Sequence, residues 1–167
     1  FIQKEMDMGK IIAQESLLMD GNENSETLFE QLLALNIKTL GKFVSDFESN
    51  NINEKSQIEQ NATYTYSNTQ PTKTIVFKED AYTNFEEPIN ILDQKIRAYY
   101  PRPIVWSHLK YLVKFKNLAL KDIGKSELIV KIYEAKLVNN MLEIKTLQIE
   151  GKNKMSWEEF LNGYIVQ

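Results

Sequence analysis

Residues 128–149 read LIVKIYEAKLV-NN-MLEIKTLQI, two β-rich runs joined only by Asn139-Asn140. A two-residue hairpin link needs positive φ, which asparagine tolerates. Leu128 to Val138 and Met141 to Ile149 are therefore predicted to be neighbouring antiparallel strands. Downstream, Gly151-Lys152-Asn153-Lys154 turns the chain. Ser156-Trp157-Glu158-Glu159 then has the spacing of a capping box, opening a short helix that Gly163 stops. Upstream, Ile89, Leu92, Ile96 and Tyr99 make one apolar stripe within Asn84 to Tyr100. That spacing predicts a helix, with Pro88 tolerated in its first turn and Pro101 ending it. After Pro101-Arg102-Pro103, Tyr111, Val113 and Phe115 alternate with Leu112, Lys114 and Lys116, which predicts another half-buried strand. The sum is an α+β fold, a small antiparallel OB-like β-barrel with helical additions.

The chain before this region has a different character. Lys10-Ile11-Ile12-Ala13-Gln14 follows Gly9 and suits a strand after a tight turn. Gly21 to Asn24 marks a further turn, and Ser25 is an N-cap candidate with Glu26 in the first turn. Phe29, Leu33, Ile37, Leu40, Val44 and Phe47 then recur at three- and four-residue spacing, predicting an amphipathic helix with one buried stripe. From Ser49 to Pro71 the residues are mostly Asn, Gln, Thr and Ser, as in a linker. The expected division is 1–47, 48–83 as linker, and 84–167.

The 167 residues hold 43% apolar, 11% aromatic and 26% charged residues, ordinary globular values that exclude wholesale disorder. With no cysteine, disulfides, thiolate zinc sites and cysteine nucleophiles are excluded. The single histidine, His108, excludes a His-pair metal site, so no metal is expected. No apolar run approaches 18 residues and no signal peptide is recognisable, so no membrane is expected and a cytoplasmic setting is the default. The chain opens on Phe1, directly in an apolar stretch, and reads as a fragment. Its net charge of -3 divides unevenly: -6 over residues 1–83 and +3 over 84–167. The second half is thereby suited to a polyanion, or simply has a solvated basic face.

Few residues announce chemistry. There is no G-x-S-x-G elbow, Walker loop or G-x-G-x-x-G. Glu86-Glu87 and Glu158-Glu159 sit at helix starts, where negative charge complements the dipole. His108, beside Trp106, reads as structural. Lys110, Lys114 and Lys116, with Arg97 and Arg102 nearby in sequence, suit either phosphate binding or a solvated strand face. Asp7, between Met6 and Met8, is unusual for its apolar setting.

Residues Phe1 to Gln14, with Asp7-Met8-Gly9 before the apolar run, resemble the end of a folate-dependent formyltransferase catalytic domain. The second half resembles the C-terminal domain of the methionyl-tRNA formyltransferase family. The matching features are Ile96-Arg97-Ala98 with Pro101-x-Pro103, Leu147-Gln148-x-Glu150-Gly151-Lys152, Met155-Ser156 and Phe160-Leu161-x-Gly163. Ala62-Thr63-Tyr64 in the linker fits as well. Lys10, where the family often has an acid, and the stretch Val113 to Ser126, a local expansion, depart from the pattern.

The resemblance implies a strand-helix remnant of an α/β catalytic domain in 1–47 and a β-barrel C-terminal domain in 84–167. It implies formyl transfer from 10-formyltetrahydrofolate to the methionyl amine of initiator tRNA. That reaction needs a carbonyl polariser, a proton acceptor and a group that orients the acceptor. In the family an Asn, a His and an Asp share these roles, and only the aspartate is matched, by Asp7. The fragment alone is accordingly expected to be inactive, to bind no folate, and to be a monomer. Expected tRNA contacts are Arg97, Arg102, Lys110, Lys114, Lys152 and Lys154. Of these, Arg97 and Lys152 match by motif and the others rest on charge and position. Two further readings stay open: a formyltransferase acting on a nucleotide-linked amino sugar, and a non-catalytic RNA-binding module.

Overall fold

The computed structural model describes residues 8–58, 60 and 76–166. Asp7 and Ala62-Thr63-Tyr64 lie outside the described residues. The described residues divide into two compact units, those among 1–22 and 27–75 and those among 23–26 and 76–167.

The first unit is built on helix α1 (Ser25–Glu48), whose first two residues belong to the second. The predicted helix is present, but its apolar stripe is not buried: Phe29, Leu33, Ile37, Leu40, Val44 and Phe47 are all exposed. Periodicity aligns such residues on one face; burying them needs a second apolar surface. The predicted strand at residues 10–14 is reduced to one antiparallel bridge. In it the Ile11 and Lys55 amides donate to each other's carbonyls at 2.9 Å. A strand with no long partner cannot extend its ladder.

The second unit holds α2 (Ile89–Ala98), β1 (Val105–His108), α3 (Leu109–Phe115), β2 (Ile129–Val138), β3 (Met141–Ile149), β4 (Lys154–Ser156) and α4 (Trp157–Tyr164). The strands form an antiparallel sheet in the order β1-β2-β3-β4. Asn139 and Asn140 adopt φ of 49° and 58°, the backbone that the β2–β3 hairpin requires. Ser156 and Glu159 make both hydrogen bonds of the capping box. Helix α4 runs through Gly163 and ends one residue later, at Tyr164.

The α+β class holds, but the sheet is open. Among the described residues no pairing joins β4 to β1, and β4 is only three residues long. Closure demands strands tilted and staggered around a full circle. Here α2, α3 and α4 cover one face instead, through Leu92, Ile96, Leu109, Leu112 and Phe160 packed on the inward side chains of β1 to β3. The other face carries none of this core.

One element differs in kind from the sequence expectation. Residues 111–116, expected as a strand, fall in helix α3 (Leu109–Phe115) and its C-cap Lys116. The same run fits both periods, since Leu109, Leu112 and Val113 also stand at helical spacing. The buried pair Leu109 and Leu112, three apart, shows which period packs. The first-turn amides of Leu109 and Lys110 donate to the carbonyls of Leu128 and Ser126, both at 2.9 Å, so the helix start is satisfied by the loop before β2. The strand role falls to the preceding Val105–His108, with Val105 and Ser107 inward.

Candidate nucleic-acid interface

The uncovered sheet face is organised by strand register. Trp106 pairs with Lys131, Lys131 with Gln148, and Gln148 with Lys154, so one row of side chains crosses all four strands. Strand alternation sends these residues outward because Val105, Val130, Ile132, Leu147 and Ile149 point into the core. Tyr133, two residues beyond Lys131, donates from its hydroxyl to Gln148 Oε1 at 2.8 Å, and Lys154 Nζ sits 3.9 Å from its ring centre.

Aromatic rings gather at the β1 edge. Tyr82 lies parallel to β1 beside Trp106, their ring centres 4.9 Å apart, and His108 is 6.1 Å from Trp106 and 6.3 Å from Tyr111. Partial burial, and then the neighbouring Tyr111 hydroxyl, pushes the Tyr82 phenol upward, so its ring stays neutral. His108 Nδ1 lies 2.9 Å from the Glu127 carbonyl, which can only accept, so Nδ1 carries the proton.

A polar network pins this edge. The Thr83 amide donates to the Trp106 carbonyl at 3.0 Å, the fully buried Ser107 hydroxyl to the Thr83 carbonyl at 2.6 Å, and Trp106 Nε1 to the Lys78 carbonyl at 2.8 Å. Beneath it, Lys95 Nζ donates to the Tyr82 carbonyl and to Glu87, which also accepts from Thr83. Burial raises the Glu87 carboxyl, but the bonds from Thr83 and Lys95 outweigh it and hold it below the usual range.

The basic residues named from sequence do not form one patch. Arg102, in the turn before β1, lines a cleft of about 460 Å3 with Lys78, Pro103, Trp106 and Lys131. Lys152 lies in the β3–β4 turn, where its carbonyl accepts from Gln148, and Lys154 ends the cross-strand row. Lys110 is ion-paired with Glu127 at 2.8 Å, which raises its own ammonium and lowers that carboxyl. Lys114 is exposed on α3. Arg97 pairs with Asp93 at 3.1 Å and donates to the Glu23 carbonyl at 2.8 Å. Lys116 donates to the Leu142 carbonyl and packs on Phe115 and Trp157, with burial pushing its ammonium down.

Two cations of the face, Lys78 and Lys131, escaped the sequence reading. Lys131 was available from strand parity, being two residues from Tyr133 on the outward side of β2. Lys78 was not, because its position comes from a 3-10 turn (Lys78–Ala81) folded against β1. Among the described residues, no group of three or more His, Asp or Glu could hold a metal, and no helix is long and apolar enough to cross a membrane.

Fold and face together define a small α+β module with one sheet face covered by helices and the other basic and aromatic. The chain belongs to the formyl transferase C-terminal domain family, which it matches over residues 75–165. It is similar to the methionyl-tRNA formyltransferase of Thermotoga neapolitana, at 25% identity over 98% of this chain and 52% of that protein. The enzymes of the same name from Ehrlichia chaffeensis and Streptococcus gordonii are 30% and 28% identical, each over 96% of this chain and 50% and 51% of theirs. The chain spans about half the length of the curated relatives it matches.

Proposed function

We propose that this chain is the C-terminal portion of a methionyl-tRNA formyltransferase, with residues 84–167 supplying part of its grip on initiator tRNA. The observation that carries the reading is the agreement with proteins of that name along 96–98% of the chain. In this reading 1–47 completes a catalytic formyltransferase domain and 48–83 is the linker. The apolar stripe of α1 then packs on that domain's remainder. The formyl donor is 10-formyltetrahydrofolate, the setting cytoplasmic, and the protein a monomer. Asp7 orients the catalytic histidine contributed by the other half of the enzyme. The 167 residues alone transfer no formyl group from 10-formyltetrahydrofolate to methionyl-tRNA. In a protein carrying both halves, Asp7→Asn lowers the turnover rate strongly and leaves tRNA affinity nearly unchanged, because Asp7 touches no phosphate.

Phosphate contacts supply affinity without reading sequence, and Lys and Arg make them. Arg102, Lys152 and Lys154, joined by Lys78 and Lys131, suit this role because none of the five is held in an ion pair among the described residues. Lys114 adds an exposed charge. Lys110 must first leave Glu127, and the bonds of Arg97 to Asp93 and Glu23 favour a part in holding the fold. A tRNA titration at several salt concentrations tests the reading. Three or four contacts give a log–log slope of roughly -2 to -4, and Arg102→Ala flattens it by about one unit. Binding that ignores salt would mean a merely solvated face.

A further inference from the structure

Beyond a basic surface for phosphates, the geometry points to a specific subsite: we infer that Trp106 receives the face of an unpaired RNA base, whose flanking phosphates lie on Lys131 and Arg102. This rests on the reading that the module binds RNA, and it adds which part of the RNA this face takes.

Among the described residues, the cleft at Trp106 is lined by three cations, Lys78, Arg102 and Lys131, and by no carboxylate. It is an open depression of about 460 Å3 beside the ring. A paired duplex offers such a surface its backbone and groove edges but keeps its base faces stacked, whereas an unpaired nucleotide offers a free π-face. Trp106 is suited to that face in two ways. Its ring is fixed by the Nε1 bond to the Lys78 carbonyl and by Tyr82 at 4.9 Å, so little side-chain freedom remains to be lost on binding. It is also only partly buried, and Lys78 Nζ already occupies a ring face at 5.3 Å. Lys78 is itself exposed, so a base displaces its ammonium from the ring, and the displaced charge meets the phosphate. Beyond Lys131 the row continues to Gln148 and Lys154, with a second cleft of about 210 Å3 that shares Lys78 and Lys131. Glu150 also lines that second cleft, its carboxylate accepting from the Ile129 amide, so the next nucleotide meets the Gln148 amide and Lys131 there while its phosphate stays on the cation side.

The test uses the whole chain carrying Trp157→Phe, which leaves Trp106 as its only tryptophan, titrated with three probes: a single-stranded RNA, the fully paired blunt-ended duplex of the same sequence, and AMP. Stacking predicts that the single strand quenches Trp106 fluorescence and that the duplex and AMP quench it little. Trp106→Ala weakens single-strand binding about 5- to 150-fold with an unchanged salt slope and leaves duplex binding as it was, while Trp106→Phe keeps much of the affinity. Lys131→Ala weakens both RNAs and flattens both slopes. Salt-dependent binding with no quenching and no effect of Trp106→Ala would overturn the base subsite and leave the phosphate surface standing. Equal quenching by AMP alone would assign the cleft to a free nucleotide. No salt-dependent binding of any RNA would overturn both readings together.

Discussion

Helix α1 and the β2–β3 hairpin carry equally regular apolar patterns, and only the hairpin buries its own. Along α1, six apolar residues at helical spacing stay exposed, and no residue of the helix is buried. In the hairpin, Val130, Ile132, Leu142, Ile144, Leu147 and Ile149 are all buried against three helices. The pattern is a property of the segment, whereas burial belongs to a pair of surfaces. A regular stripe thus predicts that an element wants a partner, and says nothing of whether that partner lies in the same stretch of chain.

The largest consequence concerns stability. Leu112→Ala in the packed unit removes a fully buried side chain and should cost about 2–5 kcal/mol in urea denaturation. Leu33→Ala on α1 should change the stability of this chain by no more than about 0.5 kcal/mol. An equal cost at both positions would break the comparison, and would show that the α1 stripe is covered in solution. Ser156→Ala removes one bond of the observed capping box and should cost about 1 kcal/mol. A negligible cost would mean that α4 is held by Phe160 alone.

The Glu87 network sharpens the contrast through pH. The folded carboxyl is held below its unfolded value near 4.3. Its contribution is therefore complete above that value and is lost as pH falls through the lower folded value. Glu87→Gln should flatten the acid limb of the stability profile while costing below about 1 kcal/mol at neutral pH. An unchanged acid limb would remove Glu87 as its source. The smallest effect is expected at the hairpin. Asn140→Gly should stabilise by a few tenths of a kcal/mol, since glycine adopts the φ of 58° without strain.

Several local features were open to sequence analysis because their determinants are close along the chain. The Asn139-Asn140 link, the Ser156–Glu159 box and the Leu92–Ile96 stripe of α2 each depend on residues within a few positions. Arg97 shows a signal that was present and unused: Asp93 stands four residues before it, the spacing of a helical ion pair. That spacing already favoured a bound guanidinium over a free one. Residues 109–115 show the reverse case, where two periods fit one short run and no local rule chooses between them.

Neighbouring residues along the chain settled the inventory: a hairpin, the Ser156 capping box of α4, an uneven charge, and the family motifs from Ile96 to Gly163. Long-range packing settled the rest: the sheet stays open, 109–115 is helical, and Tyr82 and Lys78 meet Trp106. The reason is distance along the chain. Trp106 receives Lys78 from 28 residues away, and Lys131 reaches it only through strand pairing. Local propensity ranks the conformations of a segment, but which segments meet is settled by how the apolar faces of the whole unit can be covered at once.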